Sequence, residues 1–153
     1  MSAFYLDSSA LFKFYVTEKG SLWVRQLFDP AQNHRLFIAR LAHVELASAL
    51  ARRVREGLLT ATDQTAALSL FLYYQAKRLR VVEITGAVCA RAATLASSRA
   101  LRAYDSVQLA CAIESHQGLL NVGTNGLTFV GADSHLLRAA QDEGLQTENP
   151  ESH

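Results

Sequence analysis

Four acids in this chain sit where an acid is costly. Asp7 ends the apolar run FYL and precedes two serines, Glu45 lies in HVELASAL, Asp105 opens DSVQLACAI, and Asp133 follows LTFVGA. Each stretch is otherwise apolar, so each carboxylate loses hydration unless donors or a cation meet it. Carboxylates gathered in one pocket also repel one another, and a divalent cation is the economical way to hold them ionised. Hard oxygen donors with no histidine set select Mg²⁺ or Mn²⁺ over Zn²⁺. The five histidines share no ligand spacing, and His135, two residues past Asp133, reads as a bystander. Metal-assisted hydrolysis is therefore the chemistry that this acid set suggests.

The elements that must bring the acids together alternate between strand and helix. Apolar runs predict strands over residues 4–6, 36–39, 81–84 and 127–130, with a last edge strand over 145–148. Helical periodicity predicts helices over 9–16, 21–28, 41–56, 62–79 and 105–116, another running from the Thr85 cap to about residue 97, and a last one over 135–143. In the helix over 41–56, Val44, Ala47, Leu50, Ala51 and Val54 form the expected buried stripe. Such alternation implies an α/β fold with helices on both faces of a mostly parallel sheet. Ligands in such sheets bind beyond the carboxyl ends of the strands. Asp7 and Asp133 both follow a strand and precede a helix, which also makes them candidate helix caps. Ser8, Ser9 and Ser134 stand next to them and offer alternative caps, which would free the acids for chemistry. Thr62 and Asp63 open the helix over 62–79, so Asp63 is read as structural.

Composition narrows the class. The chain has 153 residues, 50% of them hydrophobic and 19% charged, which suits one globular domain, read here as residues 1–148 with a frayed tail at 149–153. Cys89 and Cys111 lie in Ala-rich helical patterns without metal-ligand spacing and read as buried thiols of a reducing compartment. No signal-like segment or apolar stretch of membrane-spanning length is present, so a cytoplasmic protein is expected. Net charge is only +1, yet with the four acids neutralised the 15 basic residues would face ten acids, 14 less four, a balance that suits a polyanionic substrate. Lys13, Arg40, Arg99 and Arg102 lie near the acids in sequence and are candidates for phosphate contacts or for solvated helix ends. The GTNG segment lacks phosphate-loop spacing and precedes a strand, and no GxSxG elbow exists.

Taken in order, LDSSALFKFY, HVELASALARR, LRAYDSVQLACAIE and LTFVGADSHLLRAAQDEGL resemble the PIN-domain ribonucleases, specifically the VapC toxins of toxin–antitoxin pairs. The resemblance runs from Phe4 to Leu145, and LRAYDSVQLA is its most distinctive part. It implies a three-layer α/β/α domain in which Asp7, Glu45, Asp105 and Asp133 hold Mg²⁺ or Mn²⁺, with Ser9 as a small polar auxiliary beside them. It further implies an endoribonuclease that cuts RNA, an antitoxin whose tail occupies the acidic groove, and a homodimer. Members usually carry Thr or Ser two residues before the last acid, where this chain has Gly131. Two rival functions remain: a phosphohydrolase with Asp7 as nucleophile, although Ser9 stands where a second acid is wanted, and a catalytically weak binding module of the same fold.

Overall fold

The computed structural model describes residues 1–153. Strands β1 (Ala3–Leu6), β2 (Arg35–Ala39), β3 (Leu79–Val82), β4 (Thr128–Val130) and β5 (Gln146–Glu148) form one sheet in the order β3-β2-β1-β4-β5. Every neighbouring pair is parallel. The chain builds outward from β1 to β2 and β3, then returns to the far side of β1 for β4 and β5. That reversal opens a crevice at the carboxyl ends of β1 and β4, where an α/β sheet takes its ligands.

Both sheet faces are covered, so adjacent strand residues serve different cores. Tyr5 and Phe129 enter one core with helices α5 (Gly86–Ser98), α6 (Ala103–Asn121) and α7 (Ser134–Asp142). Leu6, Val130, Leu36 and Ile38 enter the other, against α1 (Ser8–Tyr15), α2 (Ser21–Leu27), α3 (Ala42–Arg55) and α4 (Ala61–Lys77). This is the expected three-layer α/β/α arrangement. No helix is long and apolar enough to cross a membrane.

Several local expectations are corrected. β3 begins two residues before the expected strand, because Leu79, not Val81, is the first residue to pair with β2, opposite Leu36. The buried stripe of α3 is Ala42, Leu46 and Leu50, and Val44 is 63% exposed. Both sets satisfy helical period, and the face that meets α1 and the sheet decides between them. Helix α4 starts earlier, with Thr60 and Asp63 forming a reciprocal capping box, so Asp63 is structural as read.

Residues 149–153, expected to fray, are seated on the body of the protein. A short 3-10 turn, Pro150–Ser152, places Glu151 Oε1 2.8 Å from Lys13 Nζ, which also meets Glu18 Oε1 at 2.9 Å. Lys13 is only 3% exposed, so its ammonium depends on these carboxylates. His153 stacks on Trp23 at 4.3 Å, and Pro150 packs so close to Gly20 that a Cβ there would lie 2.6 Å from its carbonyl oxygen. Gly20 also holds φ +86, so glycine is required twice over. Ending the chain after Asn149 should therefore lower stability by about 1–3 kcal/mol in a urea melt. An unchanged midpoint would show that the tail contributes nothing.

Candidate functional site

Asp7 leaves the end of β1 and is itself the N-cap of α1, which corrects the assignment of that cap to Ser8 or Ser9. Ser9 donates to Asp7 Oδ2 through its backbone N–H at 3.2 Å and its hydroxyl at 2.7 Å. The same hydroxyl accepts from the Ala132 N–H at 3.0 Å, tying the start of α1 to the β4–α7 loop. Both bonds to Asp7 fall on Oδ2. The carboxylate is only 5% exposed, and burial pushes its pKa up to about 6, against the opposing pull of the Ser9 hydrogen bonds and with a further push from the Glu45 and Asp105 charges.

Glu45 projects from the first turn of α3, at the end of β2. Burial raises its pKa, hydrogen bonds from Gln108 and Ser8 offset part of the rise, and the Asp105 charge adds to it. Asp105 sits in the first turn of α6, where the helix dipole favours an anion. Its pKa is nevertheless raised, first by burial, with Arg102 opposing and Asp133 adding to the rise. Asp133 is exposed and caps α7 by accepting from the Leu136 N–H at 2.8 Å, so Ser134 does not do the capping. Charge coupling thus links Glu45, Asp7, Asp105 and Asp133 along one sheet edge.

Glu45 and Asp105 line a groove of about 640 Å³ together with Ser8 and Ser9, which follow the buried Asp7, and Arg52, Arg53 and Arg102 rim it. Of the four basic candidates, Arg102 alone combines a place on this rim with free exposure: it is 86% exposed, its guanidinium 3.8 Å from Asp105. Lys13 lines the groove but is committed to Glu18 and Glu151, Arg40 pairs with Glu83, and Arg99 pairs with Asp142 and Glu143. His135 Nε2 meets the carbonyls of Arg99 and Ala100 at 3.1 and 3.3 Å, which pins the loop leading to Asp105. Ala100 in that loop has φ +52, a conformation usually left to glycine.

Sequence reading missed Gln108. This side chain is fully buried on α6, accepts from the Tyr5 hydroxyl at 2.7 Å, and donates to Ser8 Oγ at 2.8 Å and Glu45 Oε1 at 2.9 Å. The available signal was a lone amide three residues after Asp105 in an otherwise apolar helix.

The donor set fits a hard divalent cation. All four acids offer oxygen, and three are destabilised as anions by burial and by neighbouring carboxylates, with Arg102 the one arginine paired to any of them. The side chains as they stand do not close into a ready set of three ligands. Gly131 lies against Asp7, a Cβ there reaching 3.6 Å from Oδ2, and the hydroxyl beside Asp7 is that of Ser9.

The PIN-domain family profile matches residues 4–128, which span Asp7, Glu45 and Asp105 and stop short of Asp133. The chain is also 34% identical over 146 residues to Ribonuclease VapC45 of Mycobacterium tuberculosis, covering 95% of this chain and 94% of that protein. The chain belongs to the VapC-type PIN-domain family. Two solved structures share the fold of this family member. PAE2754 from Pyrobaculum aerophilum is 19% identical with a TM-score of 0.66, covering 99% of this chain and 91% of its own. VapBC2 from Rickettsia felis, bound to a DNA fragment from its promoter, is 15% identical with a TM-score of 0.63, covering 96% and 98%.

The raised pKa of Asp7 has a measurable sign. The folded state holds the proton more tightly than the unfolded chain, whose carboxyl keeps the ordinary 3.8, so the ionised form costs stability. This cost is absent below about pH 4, grows as pH rises to about 6, and is full above that, at about 3 kcal/mol. Asp7→Asn retains a cap acceptor and should raise the thermal midpoint by several degrees near neutral pH while giving no gain at about pH 4. A gain independent of pH would refute the burial account.

Proposed function

We propose that this VapC-type PIN-domain protein is a divalent-metal-dependent endoribonuclease and the toxin of a toxin–antitoxin pair. The observation that carries the reading is the coupling of Asp7, Glu45 and Asp105, three carboxylates whose pKa values are all raised, two of them lining a groove with arginine on its rim. Asp7 and Asp105 would be the principal ligands of Mg²⁺ or Mn²⁺, Glu45 a ligand or water-orienting base, and Asp133 an outer ligand. When bound, such an ion supplies Lewis acidity to the scissile phosphodiester and lowers the pKa of the attacking water.

The chain's own residues do the remaining work. Asp7 is held by Ser9 through one oxygen, which leaves the other free to meet a cation. Glu45, kept at the groove by Gln108 and Ser8, is the group placed to take a proton from water. Arg52 and Arg102 on the rim offer charge to the RNA backbone, although Arg102 also lies 3.8 Å from Asp105.

The partner is inferred from two features together with kinship. Uncompensated carboxylates suit a basic side chain carried in by an antitoxin tail. A second groove lined by Tyr15, Leu58, Leu59, Ala67 and Leu70 leaves apolar surface uncovered, and Leu72 and Tyr73 are exposed elsewhere on α4. The complex named for the Rickettsia felis relative accords with a protein partner. A homodimer and a cytoplasmic location belong to the same reading.

One observation favours a binding module instead, namely that no three ligands are drawn together in advance. The two readings separate on purified protein. RNA should be cut in Mn²⁺ or Mg²⁺, cutting should stop in EDTA, and Asp7→Asn or Asp105→Asn should reduce it by about 100-fold or more. Cutting that persists in EDTA, or in Asp7→Asn at the normal rate, would overturn metal catalysis. In cells, production without antitoxin should arrest growth and Asp105→Ala should relieve the arrest; equal arrest by the variant would show that the toxicity is not nucleolytic.

A further inference from the structure

We propose that Gln108 is a positioning residue, whose amide is anchored by the buried Tyr5 hydroxyl and so holds Glu45 at the groove for metal binding. The inference rests on reading the acids as a metal site.

Gln108 is 0% exposed, in the apolar body of α6, where an unpaired amide would be penalised. Its two ends are used differently. The amide oxygen faces Tyr5, whose phenol is protonated at neutral pH and donates to it at 2.7 Å. The amide nitrogen faces two acceptors, Ser8 Oγ at 2.8 Å and Glu45 Oε1 at 2.9 Å. Turning the amide over would set its oxygen against the Glu45 carboxylate, which can only accept, and would cost the amide oxygen the bond it takes from the Tyr5 hydroxyl. The Glu45 carboxylate therefore selects the orientation, and the bond from Tyr5 holds the amide in place behind it.

The geometry gives this anchor a purpose. Tyr5 belongs to β1, Gln108 to α6, Ser8 to α1 and Glu45 to α3, so one amide joins both helical layers across the carboxyl end of the sheet. Glu45 is a long side chain at an open groove, and repulsion from Asp105 and Asp7 favours its swinging outward to water. The hydrogen bond from Gln108 opposes that motion and lowers the ordering cost that metal binding would otherwise meet.

The test is Mn²⁺ binding to purified protein without RNA, measured by calorimetry for wild type, Gln108→Leu and Tyr5→Phe, each also with Glu45→Gln. Gln108→Leu should weaken Mn²⁺ binding by about 10-fold or more, and Tyr5→Phe, which removes only the anchor, by about threefold. Neither should weaken it further in the Glu45→Gln background, because the effect passes through Glu45. If Gln108→Leu fails to fold, Tyr5→Phe carries the test alone. Unchanged affinity in either folded variant, or the same fold-loss with Glu45→Gln as without it, would overturn the positioning role. Wild type that takes up no Mn²⁺ would instead overturn the nuclease reading, and this inference with it.

Discussion

Carboxylates withdrawn from water beside one another govern this molecule. Asp7, Glu45 and Asp105 each cost folding energy as anions, because burial strips their hydration and each lies within the field of another. A fold keeps such a cluster only when the rest of the structure holds it in place. Here the hold consists of short polar bonds at the strand ends: Ser9 on Asp7, Ser8 and Gln108 on Glu45, and the amino end of α6 beneath Asp105. None of these neutralises charge. The carboxylates are left without a full counter-charge.

The sheet explains why the strain can be tolerated at that edge. Two separate apolar cores lie on its faces, one under α1 to α4 and one under α5 to α7. The acids stand above neither core but at the seam between them, where the chain reverses direction around β1. Helices begin there, so their free N–H groups face the same edge. Asp7 and Asp133 use this directly, serving as caps and as members of the acidic edge at once.

That double use shows where reading the sequence falls short. The strings LDSSAL and GADSHLL offered serines as caps, yet geometry at the strand-to-helix turn gives the acid the better reach in both places. Periodicity located α3 but not its buried face, since 42, 46 and 50 satisfy the helical period as well as 44, 47 and 51 do. The cluster of charges at the end of the chain looked unstructured because its partner, Lys13, lies 138 positions away in sequence. Gln108 was overlooked for the same reason: its partners, Tyr5, Ser8 and Glu45, are all remote along the chain.

What the order of residues determined by itself was local or additive: the alternation of strands and helices, the parallel layered architecture, the acids lodged in apolar stretches, and the kinship carried by their motifs. Those signals survive without a fold because they depend on period, composition and spacing. Only the tertiary structure decided which helix faces are buried, that Lys13 is spent on holding the tail while Arg102 stays exposed beside Asp105, and that one amide links four elements at the groove. Burial and hydrogen bonding between distant segments are properties of the closed chain, and a linear pattern does not contain them.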